Sequence, residues 1–239
     1  MNAGKLFVIE GPDGSGKSTM CHHISKRLLD NDIYSEVISL PNKFSFGYDK
    51  LREMLKHNEV PTDIVQSIMI ANMQEAFDKE IKARLEAGVI VILDRWLIST
   101  IIYNILNNGK LVESMSVDGE LMLERISTSY CNLTNYPYRI FYLNIPKSLI
   151  IEHSRKRKSD EINDQESTVK DVYNLYNEFY TAIKHGGKFP FLTKKYILTE
   201  SNSAEDSNKH ILISSDKEDE VEMYNDMENE ILQEICSSI

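Results

Sequence analysis

The stretch LFVIEGPDGSGKSTMCHH, Leu6 to His23, decides the fold. Four apolar residues run into Glu10, nine residues carrying three glycines follow, and Met20, Cys21, Ile24 and Leu28 then recur at helical spacing. Gly-x-x-x-x-Gly-Lys-Ser between a buried strand and a helix is a phosphate-binding P-loop. Its glycines let the backbone N–H groups turn inward, and the helix that starts near Lys17 aims its positive dipole end at the same point. Gly11, Gly14, Ser15, Gly16, Lys17, Ser18 and Thr19 are therefore the expected ATP-phosphate site. Lys17 is expected to reach the β- and γ-phosphates and Ser18 to ligate Mg²⁺, the expected cofactor.

Working outward, short β-branched runs recur at 5–10, 35–40, 89–94, 139–144 and 210–214. Longer stretches between them have helical spacing, at about 17–30, 47–57, 63–87, 97–106, 118–130, 146–157, 167–185 and 219–236. Strands alternating with helices predict a doubly wound α/β fold, a five-stranded parallel sheet with helices on both faces. The chain, 239 residues with 41% hydrophobic and 27% charged, fits a single domain. The polar stretch TESNSAEDSNK, 199–209, reads as a solvated insertion before the last strand.

A net charge of −10 argues against a nucleic-acid partner, which needs a broad basic surface. Cys21, Cys131 and Cys236 are an odd number without CxxC spacing, which points to a reducing compartment and away from a structural zinc. Neither a signal peptide nor a long apolar span is visible, so a soluble, cytoplasmic chain with no membrane partner is expected.

Two further features carry chemistry. Asp94 ends the third apolar run, where an acid beside the P-loop can hold Mg²⁺, and Arg95 follows it in the crevice where open α/β sheets bind ligands. RKRK, Arg155 to Lys158, precedes the polar SDEINDQES. Such a run is ordinarily a solvated face, but beside a P-loop it can close over a transferring phosphoryl group.

GPDGSGKST after the first strand, LPNK (40–43) after the second and DRWLISTIIY (94–103) after the third together resemble the thymidylate kinase family. These P-loop enzymes phosphorylate dTMP to dTDP with ATP. The likeness reaches to the last strand and helix and is clearest in 5–24, 37–43 and 67–104. It implies one kinase domain over 1–239 with a LID at about 153–166, a homodimer, and ATP and dTMP as small-molecule partners. By the same resemblance Asp13 faces the nucleotide sugar, Lys43 and Arg95 bind the dTMP phosphate, and Leu40, Ser99 and Tyr103 line the dTMP pocket. Ser215 lies near adenine. Met69 and Met73 stand where the family has a stacking aromatic and a hydrogen-bonding Arg; a thioether cannot donate that bond, so thymine is expected to be read through its methyl group. Some members carry a catalytic Arg directly after the P-loop Asp, others a Gly there and an Arg from the LID. Gly14 places this chain in the second group, so the catalytic charge is expected from Arg155 or Arg157, beside Lys17 and Arg95.

Two other functions compete. A deoxynucleoside kinase, or another pyrimidine-nucleotide kinase of broader specificity, is the nearer one, but deprotonating a 5′-hydroxyl calls for a carboxylate after the second strand. Pro41-Asn42-Lys43 stands there instead. A non-catalytic nucleotide-binding module of GTPase type would need Asn-Lys-x-Asp, and Asn42-Lys43-Phe44-Ser45 lacks the acid.

Overall fold

The computed structural model describes residues 4–56, 62–107, 138–156, 166–184 and 210–239. Five strands, β1 (Leu6–Glu10), β2 (Ser35–Ser39), β3 (Ile90–Asp94), β4 (Tyr138–Leu143) and β5 (His210–Ile213), form one sheet in the order β2-β3-β1-β4-β5. Every pairing is parallel. Each expected strand forms to within one residue at either end, because continuous β-branched runs suit a sheet covered on both faces.

The helices are α1 (Lys17–Leu29), α2 (Tyr48–Met54), α3 (Thr62–Ala76), α4 (Lys82–Glu86), α5 (Leu97–Asn107), α6 (Lys147–Lys156), α7 (Glu166–Lys184) and α8 (Glu220–Cys236). The single helix expected over 63–87 is broken by a π-helical turn, Phe77–Ile81, between α3 and α4. A π turn takes up one extra residue and rotates the helix beyond it, and here both Phe77 and Ile81 remain buried. The helix expected at 118–130 and the insertion at 199–209 lie outside the described residues, as does most of the LID. Among the described residues no helix is long and apolar enough to cross a membrane.

The sheet separates two cores. Leu6 and Val8 pack with Met73, Phe77, Ile101 and Tyr176 of α3, the π turn, α5 and α7. Phe7 and Ile9 pack with Ile24, Ile150 and Met227 of α1, α6 and α8. Side chains alternate along a strand, so Glu10 falls on the face of Leu6 and Val8, and Asp94 on the face of Ile90 and Ile92. Ile9 is in register with Asp94, and Ser39 with Asp94 from the other side. The carboxyl ends of β1, β2 and β3 therefore finish level, and the segments that follow them meet in one crevice.

Candidate active site

The first wall is the P-loop. Ser15 N–H donates to the Pro12 carbonyl at 3.1 Å, and Gly16, at φ 79°, turns the chain into α1. The Tyr224 ring of α8 lies 2.9 Å from where a Cβ on Gly16 would stand, so that position accepts no side chain. Lys17 is buried and donates to the Pro12 carbonyl at 2.7 Å. Burial pushes its pKa down to about 7, the Arg95 charge adds to this, and Asp13, Asp94 and Glu10 oppose it. A phosphate brought against Lys17 would restore its charge.

Ser18, one residue on, donates to Asp94 Oδ2 at 2.5 Å. Asp94 is buried, and its Oδ1 has no hydrogen-bond partner among the described residues. A hydroxyl and a carboxylate with a free buried oxygen are hard oxygen donors, the set that suits Mg²⁺. The residues present therefore fit the expected ion.

Arg95 begins the second wall. Its φ of 76° is uncommon for a residue with a side chain, and its N–H is fixed by the Ile9 carbonyl at 3.1 Å. The guanidinium pairs with Asp13 of the P-loop and donates to Ser99 Oγ at 3.1 Å. Tyr103 donates to the other Asp13 oxygen. Burial works against the Arg95 charge, but Asp13, Tyr103, Tyr176 and Asp94 together outweigh it and the pKa is raised above the ordinary value. Asp13, distant in sequence, thus joins Arg95, Ser99 and Tyr103, four residues apart, in one connected group.

Glu10 supports that group, a role the sequence reading did not give it. Its carboxylate accepts from Trp96 N–H at 2.7 Å, Ser99 N–H at 3.3 Å, Ser99 Oγ at 2.6 Å and Tyr176 Oη at 3.2 Å. It thereby fixes the first turn of α5, which carries Ser99 and Tyr103. The signal in the sequence was a glutamate closing an apolar strand directly before the P-loop.

The third wall follows β2. Leu40 is buried, and Lys43 is exposed with its Nζ 4.8 Å over the Phe44 ring. Asn72 of α3 holds this loop: its side chain accepts from Asn42 N–H at 2.7 Å and donates to the carbonyls of Asn42 at 2.9 Å and Phe46 at 3.1 Å. These bonds occupy the Asn72 amide. Met73 is buried with its sulfur accepting from Thr100 Oγ1 at 3.5 Å, and Met69 is partly buried against the same core. Gln66, on the same helical face one turn earlier, is buried, and its Oε1 has no partner among the described residues.

On the donor side a cavity of about 430 Å³ opens beside Gly14, Gly16 and Thr19, closed by His153 of α6 and Tyr224 of α8. Ser215 follows β5 outside this lining, its hydroxyl accepting from Lys217 N–H at 3.3 Å. Arg155 is exposed on the last turn of α6, and Arg157 lies outside the described residues.

The sequence profile of the family described as Thymidylate kinase matches residues 9–189. The chain is similar to the thymidylate kinase of Blochmanniella floridana, at 29% identity over 83% of this chain and 88% of that one. It is also similar to the enzymes of that name from Plasmodium falciparum, 28% identical over 74% and 77%, and Schizosaccharomyces pombe, 25% identical over 74% and 80% of the two chains. With more than half of its length matched, the chain belongs to the thymidylate kinase family.

Proposed function

We propose that this protein transfers the γ-phosphoryl group of ATP to dTMP, giving dTDP and ADP. The observation that carries the reading is the meeting, at the ends of β1 and β3, of a phosphate loop with Lys17 and a group built on Arg95. The loop N–H groups and Lys17 hold the donor phosphates, and Arg95 and Lys43 hold the acceptor phosphate. A nucleotide phosphate is already ionised, so the reaction needs alignment and positive charge rather than a side-chain base. Arg155 and Arg157 of the LID supply charge to the equatorial oxygens in the transition state. Ser18 and Asp94 would hold Mg²⁺, which when bound would neutralise phosphate charge. Asp13 and Tyr103 meet the acceptor sugar. Leu40, Met69 and Met73 form the apolar wall for thymine, and Gln66 is the polar group that the same helix face offers to the base.

A homodimer in the cytoplasm is the proposed working form, and analytical ultracentrifugation tests the dimer. The function is tested by coupled ADP release with each nucleoside monophosphate in turn, on the wild type and on Lys17→Ala. The expected result is turnover highest with dTMP and lost in Lys17→Ala with the fold intact. Near-normal activity in that variant removes the ATP-site assignment.

A further inference from the structure

Two contacts lead away from the reaction itself. His153 Nδ1 lies 2.7 Å from the Gly14 carbonyl oxygen, and its Nε2 lies 2.8 Å from Glu220 Oε1. A backbone carbonyl and a carboxylate only accept hydrogen bonds, and a neutral imidazole has one N–H to offer. Held between the two, a neutral ring leaves one nitrogen lone pair facing an oxygen lone pair. An imidazolium donates to both.

We propose that His153 is a positioning residue of the donor site, tying the P-loop to the root of the basic LID and to the start of α8. The proposal rests on the reading of the P-loop as the ATP site. Three elements meet at this ring. Gly14 sits in the middle of the P-loop, and fixing its carbonyl fixes the peptide that leads to the N–H groups of Ser15 and Gly16. His153 is in the last turn of α6, where a positive charge meets the negative helix end, and Arg155 lies two residues on. Glu220 is in the first turn of α8, where a carboxylate is likewise favoured, behind an Asp219 cap that accepts from the N–H groups of Val221 and Glu222.

His153 also feels the Glu152 carboxylate, and Glu220 the Lys156 ammonium. On α6, Lys156 pairs with Glu152 at 2.7 Å. From α8 and α1, Tyr224, Glu228 and His23 line the same cavity, with Glu228 engaged by His23 at 3.3 Å and Arg27 at 3.2 Å. Lys17 turns instead to Pro12. Loss of either tie frees the P-loop peptide from α6 or α6 from α8, and ATP binding weakens.

The test is the ATP dissociation constant, measured by calorimetry without acceptor at one pH, with kcat, KM for ATP and the melting temperature beside it. His153→Gln can donate to only one of the two oxygens, and should weaken ATP binding and raise KM for ATP by about 10-fold with a smaller change in kcat. His153→Arg, which donates in two directions, should restore most of the affinity. Glu220→Gln, whose amide offers the ring a partner in either tautomer, should hold affinity near the wild-type value, and Glu220→Ala should weaken it. Unchanged affinity in His153→Gln, or no recovery in His153→Arg, overturns the proposal. Because ATP binding is read without acceptor, a wrong acceptor assignment leaves this result intact, and absence of ATP binding in the wild type overturns the donor-site reading itself.

Discussion

A Cβ on Gly14 would stand 2.9 Å from the carbonyl oxygen of Ile150, so the root of α6 occupies the space that a side chain at position 14 would need. The φ of 91° at Gly14 adds to this, since residues with a Cβ avoid it. Gly14→Ala should cost about 1–3 kcal/mol of stability and lower kcat/KM at least about 10-fold, because the P-loop and the LID root must separate to admit the methyl group. Thermal unfolding and steady-state kinetics check both. A fully active, equally stable variant would mean that this packing is dispensable.

The same contact bears on the catalytic charge. With α6 against Gly14, positive charge for the transition state is expected from Arg155 and Arg157. Arg155→Ala or Arg157→Ala should lower kcat by roughly 10²-fold or more with a smaller change in KM, as for an interaction made mainly in the transition state. Full kcat in the double variant would leave the RKRK run a solvated surface.

Asp94 makes the case for Mg²⁺ testable without a bound ion in view. Asp94→Asn keeps an acceptor for the Ser18 hydroxyl but removes the charge. The Mg²⁺ concentration giving half-maximal rate should rise by about 10-fold or more while the melting temperature holds. A Mg²⁺ titration identical to the wild type would remove Asp94 from the metal site.

Glu10 gives the stability a pH dependence. Desolvation raises its pKa, and the Ser99 hydroxyl, the Arg95 charge and the N–H groups of Trp96 and Ser99 oppose this only in part. A raised folded-state pKa means that the native state holds the proton more tightly than the unfolded chain. Its stabilising contribution is thus full below the ordinary glutamate range and is lost as pH rises through the raised value. Glu10→Gln imitates the protonated form at every pH. From about pH 4.5 to 8 the variant should gain stability relative to the wild type, measured as the difference in melting temperature. A difference that stays constant with pH would show that the carboxylate is already well compensated.

Specificity for the base follows from the apolar wall. The Met73 sulfur accepts from Thr100 and the Asn72 amide is spent on the loop at Asn42 and Phe46, while Gln66, on the Met69 and Met73 face, has an oxygen with no partner among the described residues. A methyl group alone gives limited discrimination, so dUMP should be used within roughly 10- to 100-fold of dTMP, with purine monophosphates excluded. Gln66→Leu should weaken dTMP binding without lowering the melting temperature, since it removes a buried acceptor that has no partner among the described residues. The check is kcat/KM for dTMP, dUMP, dCMP and dGMP. A dTMP preference above about 10⁴ would require a stronger reader than Gln66, and efficient dGMP turnover would refute the dTMP assignment.

What the sequence by itself determined is local: the strands, the P-loop and the resemblance carried by GPDGSGKST, LPNK and DRWLISTIIY. These were legible because a strand buried on both faces needs an unbroken apolar run, and a loop that wraps phosphate with its backbone needs glycine at set positions. The tertiary structure alone decided how these pieces meet. That Asp13 engages Arg95 and Tyr103, that Glu10 anchors α5, and that Asn72 is spent on the β2 loop depend on register and helix packing, which no spacing within one element encodes. The π turn at Phe77–Ile81 was hidden for the same reason, since its apolar residues fit an α-helical pattern until packing on β3 fixed the rotation. His153 is the clearest case. In the sequence it is one histidine before a basic run, and only the approach of α6 to Gly14 and of α8 to α6 puts two acceptors against its ring.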